Sequence, residues 1–397
     1  MTAAVGDLLV TGVGRLLTMT GDGTGVVKDA AVVVDAGEIS WVGPARDLPA
    51  GLPDRPTLDA GGGVVSPGFV DAHTHAVWAG RRTAEFAARM AGEGYDGGGI
   101  QTTVAATRGS DFDELLRLTL DRAGAMLANG TTTLEVKSGY GLDPVSECRI
   151  LDVVAEVGRR TPLRVEATYL GAHAVPAGRD RSDYVDEVVA TMPAAVTHGA
   201  RWCDVFCDRG AFTVEESRRI LRAAREEGLL TRLHAEQLAH TGAAELAAET
   251  GCASADHLEH VTEAGAAAMA RVGVVGVLLP TATLSTRGSS WDSARVLRGA
   301  GVTLALGTDC NPGTSWCESM PYAIQLGCLL LGLSVEEAFR AATVGAAASL
   351  RRSDRGVLAP GMLGDLAVLA ADHEADVVAH LGAPAVRTTV IGGVVVT

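Results

Sequence analysis

From residue 64 to residue 308 the chain repeats one pattern: a short apolar run, a polar or Gly-rich loop, then a stretch with helical spacing. Eight such runs occur, at 64–72 (VVSPGFVDA), 131–137 (TTTLEVK), 163–170 (LRVEATYL), 202–207 (WCDVFC), 229–234 (LLTRLH), 254–258 (SADHL), 274–279 (VVGVLL) and 302–308 (VTLALGT). Alternating strands and helices of this kind build parallel βα units, and eight of them predict an α/β fold of the (β/α)₈ TIM-barrel type. The helices carry their own start signals. Thr213 with Glu216 opens the helix expected over 213–228, which ends at Gly228, and Ser334 with Glu337 opens one over 334–350. Both flanks have a different texture. "AAVVVDAGEISWVG" near the start and "RTTVIGGVVVT" at the end are β-rich with Gly turns. We therefore expect a small β-sandwich domain built from 1–63 plus 356–397, around a catalytic barrel over 64–355.

In such a barrel the chemistry sits at the C-terminal ends of the strands. His73 and His75 follow the first strand, His234 ends the fifth, His257 the sixth, and Asp309 the eighth. In extended chain, residues two apart face the same way, so His73 and His75 can grip one ion. A lone His-x-His is weak evidence, and His198, His240, His373 and His380 read as ordinary hydrogen-bonded histidines. Imidazoles and a carboxylate converging from four strand ends suit a borderline divalent metal, zinc or iron.

Composition narrows the partners. A formal charge of −15 over 397 residues disfavours a nucleic-acid or anionic-membrane partner. The seven cysteines form no Cys-x-x-Cys pair, which fits a reducing, cytoplasmic setting. "MTAAVGDLLVTG" has no basic, apolar signal pattern, and the longest apolar run, "VVGVLLP" at 274–280, is too short to span a bilayer. No Gly-x-Ser-x-Gly elbow argues for a serine hydrolase, and "GGG" (61–63) and "GDGTG" (21–25) lack the lysine and helix of a phosphate loop.

The histidine and aspartate pattern resembles the amidohydrolase superfamily. "HTHAVWAGRRTAEF", "EVKSGYGL", "YLGAHAVP", "LHAEQL", "SADHLEH" and "GTDCNPGTS" are together similar to its imidazolonepropionase family, along nearly the whole chain. The resemblance implies hydrolysis of the cyclic amide of 4-imidazolone-5-propanoate, one divalent metal per chain, and a homodimer. It assigns the metal to His73, His75, His234 and Asp309, with His257 beside the substrate; Asp309 and His257 become the catalytic pair. It also implies that Arg82 binds the propanoate carboxylate, whose two oxygens match a guanidinium fork. Arg81, its neighbour, reads as a surface residue. Tyr140, His173, Asn311, Gly313 and Thr314 match ligand-contacting positions, although relatives often carry Ser at the last. Gln237 stands where relatives have Glu or Gln, which favours a hydrogen-bonding role, with Glu236 beside it. Tyr95 reads equally as a ligand contact or a packed loop aromatic. Lys137 ends the second strand, the wrong strand for the bridging carbamylated lysine of two-metal relatives, and reads as structural. The rival activity is that of another cyclic amidohydrolase or a heterocycle deaminase, and the rival class is a non-catalytic barrel, which would be expected to lose its ligands.

Overall fold

The computed structural model describes residues 5–94, 99–288 and 290–397. Eight parallel strands form the barrel in sequential order: β1 (Phe69–Asp71), β2 (Thr131–Lys137), β3 (Arg164–Ala172), β4 (Trp202–Cys207), β5 (Leu233–Ala235), β6 (Ser254–His257), β7 (Val275–Leu278) and β8 (Leu304–Leu306). Neighbours pair in parallel register throughout. The seam between β8 and β1 is closed just past the strand ends. There Asp309 N donates to His73 O (2.9 Å) and His75 N to Cys310 O (3.0 Å), so the seam itself joins two candidate ligand segments.

Helices between the strands start where the sequence supplies a cap. Asp111, Asp143, Asp180 and Thr213 each accept from a backbone N–H of the first turn, satisfying donors that have no partner within the helix. The expected helix over 334–350 is broken into Val335–Arg340, a π-helical turn at Ala341–Gly345, and Ala346–Ser349. This segment packs closely on β8: a Cβ on Gly345 would lie 2.0 Å from Leu304 O. Only a bare backbone fits there.

The chain ends meet in one mixed sheet. Its order runs Val394–Val395, Val386–Ile391, Leu366–Leu369, Val64–Pro67, Leu8–Leu17, Val26–Asp35, Glu38–Pro44, with Thr57–Asp59 added beside Leu8–Leu17. Val64–Pro67 pairs here, with Leu8–Leu17 and Leu366–Leu369, so the run 64–72 is shared between two sheets rather than forming one barrel strand. The break falls at Pro67–Gly68, where proline removes a ladder donor. Alternating residues such as Leu8 and Val10, Val32 and Val34, Leu366 and Val368 enclose a core separate from the barrel's. No helix among the described residues is long and apolar enough to cross a membrane.

Candidate metal centre and active site

The candidate ligands converge. His75 Nε2 lies 3.3 Å from His234 Nε2 and 3.5 Å from Asp309 Oδ1, and His73 Nε2 lies 3.5 Å from the same oxygen. A tetrahedral ion with bonds of about 2.1 Å holds its donor atoms ~3.4 Å apart. The observed spacings match. His73 Nε2 is fully buried and has no hydrogen-bond partner, which is costly for a polar atom unless something else is bound there. Two overlapping groups, His73 with His75 and Asp309 and His73 with His234 and His257, each hold ligand atoms within 4.8 Å of one another, so the cradle fits a borderline divalent metal with His257 at its edge. His257 stands against the cluster, its ring centroid 5.3 Å from that of His234 and 5.5 Å from that of His73.

The protonation states agree with this arrangement. Burial pushes His73 and His75 well below the usual histidine range, and neighbouring imidazoles and Lys137 push the same way, leaving neutral rings. Burial also lowers His234, although Asp204 pulls against it. His257 goes the other way: burial would lower it, but Glu259, Asp309 and Asp256 together outweigh that and raise it. Burial lifts Asp309 to about 7. A bound cation would act oppositely on that carboxylate by favouring its charged form.

Strand ends that carry function also carry strain. His257 and Asp309 have φ of 80° and 51°, a left-handed conformation that costs a non-glycine residue on the order of 1–3 kcal/mol. Surrounding hydrogen bonds hold the second of these. Asn311 Nδ2 donates to Asp309 O (2.7 Å), while its Oδ1 accepts from Gly313 N (2.8 Å) and Thr314 N (2.7 Å). Thr314 Oγ1 reaches back to Asp309 Oδ2 at 3.4 Å. Asn311 thus braces the loop as well as facing the cavity.

A cavity of about 370 Å³ opens over the cradle, lined by His75, His234, His257 and Asp309 together with Arg82, Tyr140, His173, Gln237, Asn311 and Thr314. His173 stacks on His75 (4.9 Å between centroids, 22° between planes), and its Nδ1 lies 2.9 Å from Gly139 O. With a carbonyl as partner, Nδ1 carries the proton and Nε2 is left as an acceptor. Burial keeps this ring neutral, lowering it to about 3. Glu236 turns away from the cavity: its Oε1 lies 2.9 Å from His240 Nδ1 and accepts from Gly242 N at 3.0 Å, pinning its own loop. Gln237, not Glu236, faces the cavity.

Arg82 is buried and gripped from one side by Glu85, Nε to Oε2 at 2.7 Å and Nη2 to Oε1 at 2.6 Å. Gly313 does not line the cavity. It sits behind Arg82, where a Cβ would come within 2.2 Å of Nη1. Beyond it lies a second, apolar groove of about 600 Å³ that Arg82 and Gly313 share with Phe86, Met90 and Trp316. Arg81 is exposed above Trp316. Tyr95 lies outside the described residues.

Sequence reasoning missed a layer of charge beneath the ligands. Asp256 Oδ2 is 2.6 Å from His73 Nδ1 and accepts from Arg232 Nη2 at 2.7 Å. Asp204 Oδ1 accepts from His234 N at 3.1 Å. A signal was present: Asp204 and Asp256, and Glu135 with Lys137 two residues apart, are charged residues within the expected barrel strands, where the structure buries them. Ile100, Gln101, Phe206, Arg181 and Arg209 also line the cavity and were not foreseen.

Comparison with known proteins agrees with the geometry. Residues 64–396 match the model of the amidohydrolase family. An imidazolonepropionase of Salinispora arenicola is 48% identical over 395 residues, covering 98% of each chain. The chain belongs to the amidohydrolase family. A second imidazolonepropionase, from Myxococcus xanthus, is 46% identical over 98% of this chain and 96% of its own. Among solved structures, a triazine hydrolase variant (TM-score 0.77, 19% identity, 98% of this chain and 94% of that one) shares the fold. So does an adenosine deaminase from Xanthomonas campestris with bound zinc (TM-score 0.75, 20% identity, 98% and 92%).

Proposed function

We propose that this chain is an imidazolonepropionase: it hydrolyses the cyclic amide of 4-imidazolone-5-propanoate to N-formimidoyl-L-glutamate in histidine breakdown. The observation that carries the reading is full-length kinship, 48% identity over 98% of both chains, with enzymes of that name. The cavity supports it, since three arginines (Arg82, Arg181 and Arg209) line it in a chain of charge −15. That favours an anionic ligand over the neutral base of a deaminase.

One zinc or iron per chain, held by His73, His75, His234 and Asp309, would make hydroxide available near neutral pH and polarise the ring carbonyl. The protein's own groups do the rest. Arg82 takes the propanoate carboxylate by a charge-assisted contact. Tyr140 and Gln237 flank the ring, and His173 Nε2 accepts from a ring N–H. Water adds to the carbonyl carbon, and Asp309 takes the proton that water loses and delivers it to the ring nitrogen as the C–N bond breaks. His257, biased toward its protonated form by Glu259, donates to the oxygen on which negative charge develops, an interaction realised in the transition state. Asn311 and Thr314 hold the loop against the ligand, Gly313 makes room for Arg82 behind it, and Tyr95 is the remaining candidate contact. Cytoplasmic placement and a homodimer belong to the same reading, the second checked by light scattering.

The test is direct: purified protein with freshly made imidazolone-propanoate, following loss of ring absorbance and appearance of N-formimidoyl-L-glutamate. An unchanged ring refutes the reading. Ammonia released from a neutral heterocycle instead would favour a deaminase.

A further inference from the structure

Lys137 ends β2 with its ammonium fully buried, and it does not line the cavity. Nζ lies 2.8 Å from Asp204 Oδ2, 2.9 Å from Glu135 Oε1 and 3.9 Å from Asp256 Oδ2. Each of these carboxylates reaches onward to a different part of the cradle. Asp204 holds the His234 backbone N–H, and its Oδ2 sits 3.0 Å from His234 Nδ1. Asp256 contacts His73 Nδ1 at 2.6 Å. Glu135 Oε2 accepts from the backbone N–H of Thr74 (3.1 Å), the residue between His73 and His75, while Thr74 O accepts from Lys137 N (2.9 Å).

We propose that Lys137 is a positioning residue for the metal cradle, a single ammonium that fixes the three carboxylates orienting His73, His234 and the His73–His75 segment. The charge count supports this role. Glu135, Asp204 and Asp256 contribute three negative charges; Lys137 and Arg232 contribute two positive ones, Arg232 lying 2.7 Å from Asp256 and 3.8 Å from Glu135. One net negative charge is left behind the imidazoles, which polarises ligand histidines toward a cation. Without Lys137 two would remain, in a place closed to water, and among the described residues Asp204 would keep no lysine or arginine within ion-pair distance. A carbamylated Lys137 is excluded on the same ground, because it would add a fourth anion to three. Placing these groups on β2, β4 and β6 lets one side chain set ligands contributed by β1 and β5.

The inference rests on the cradle holding a metal, and its test measures metal affinity rather than ring opening, so failure of the proposed reaction leaves it standing. Metal-stripped wild type, Lys137→Met and Asp204→Asn would be titrated with zinc against a chromogenic chelator, and thermal unfolding of each metal-free protein recorded. Lys137→Met should weaken zinc binding roughly 10–100-fold, and Asp204→Asn should weaken it in the same range. The double variant should bind no more weakly than Lys137→Met alone, since the amide removes one of the two carboxylate charges that loss of the lysine leaves uncompensated. Zinc affinity within twofold of wild type in Lys137→Met, with only the metal-free melting temperature lowered, would make the lysine merely structural and overturn the proposal. Should Lys137→Met fail to fold, Asp204→Asn decides: wild-type affinity overturns the proposal. A wild type without zinc affinity overturns both it and the metal site.

Discussion

Gly313→Ala isolates the substrate clamp without touching the metal. Gly313 does not have a left-handed φ, so alanine adds no backbone strain. Its conflict is local: the new Cβ would lie 2.2 Å from Arg82 Nη1 and 2.6 Å from Cζ. Carbon contacts settle at about 3.5–4.0 Å, so the guanidinium must retreat by roughly 1 Å or more. Two hydrogen bonds to Glu85 move with it. Stability should hardly change, because Glu85 is a third exposed and such pairs contribute about 1 kcal/mol at most. Substrate binding should suffer more. Losing a charge-assisted contact costs about 1.5–3 kcal/mol, hence a roughly 10- to 100-fold rise in KM with kcat nearly unchanged. The assay is steady-state ring opening in four proteins: wild type, Gly313→Ala, Arg82→Met and the double variant. In the Arg82→Met background the alanine should have almost no further effect. An equal penalty in both backgrounds, or a fall in kcat at constant KM, refutes the idea that Gly313 acts through Arg82.

Three further outcomes follow from the same geometry. His257→Phe should lower kcat roughly 10²–10⁴-fold while metal content, read by elemental analysis, stays near wild type; metal loss would make His257 a ligand. His73→Ala with His75→Ala should remove the metal and with it all measurable turnover, whereas retained stoichiometric metal would rule out the cradle. Glu374 is held below the usual carboxylate range: burial would raise it, but Arg15, bonded at 2.7 and 2.8 Å, outweighs that. A lowered folded-state value means stability present above the ordinary glutamate range and lost as pH falls through the folded one. Denaturant titrations at pH 7 and pH 3.5 should show Glu374→Gln about 1 kcal/mol less stable at the higher pH and nearer to wild type at the lower; an equal gap at both pH values contradicts the linkage.

Much of this was legible because the informative residues stand at strand ends. Apolar β-branched runs mark the barrel strands, and a histidine or aspartate closing such a run has to emerge at one rim, which is how His234, His257 and Asp309 could be placed together. Capping boxes at Thr213 and Ser334 were legible because they are local. What escaped was non-local. The sharing of 64–72 between two sheets depends on pairing with residues 366–368, some 300 positions away. The π-helical turn at Ala341–Gly345 has no local sequence signal, and the need for glycine at 345 depends on how near β8 lies. Glu85 reads as a helix-surface acid, and only the fold shows that it grips Arg82. The charges of Glu135, Lys137, Asp204 and Asp256 could have been noticed within the expected barrel strands, yet nothing in their spacing says which imidazole each one supports.

The central claim is that one cation in this cradle, and no other, licenses ring opening. Metal-stripped protein titrated with zinc or iron(II), with imidazolone-propanoate turnover read after each addition, tests it most directly. Turnover should be absent at zero metal, rise linearly, and break at one equivalent per chain. Turnover in the stripped protein, or a break at two equivalents, would contradict it.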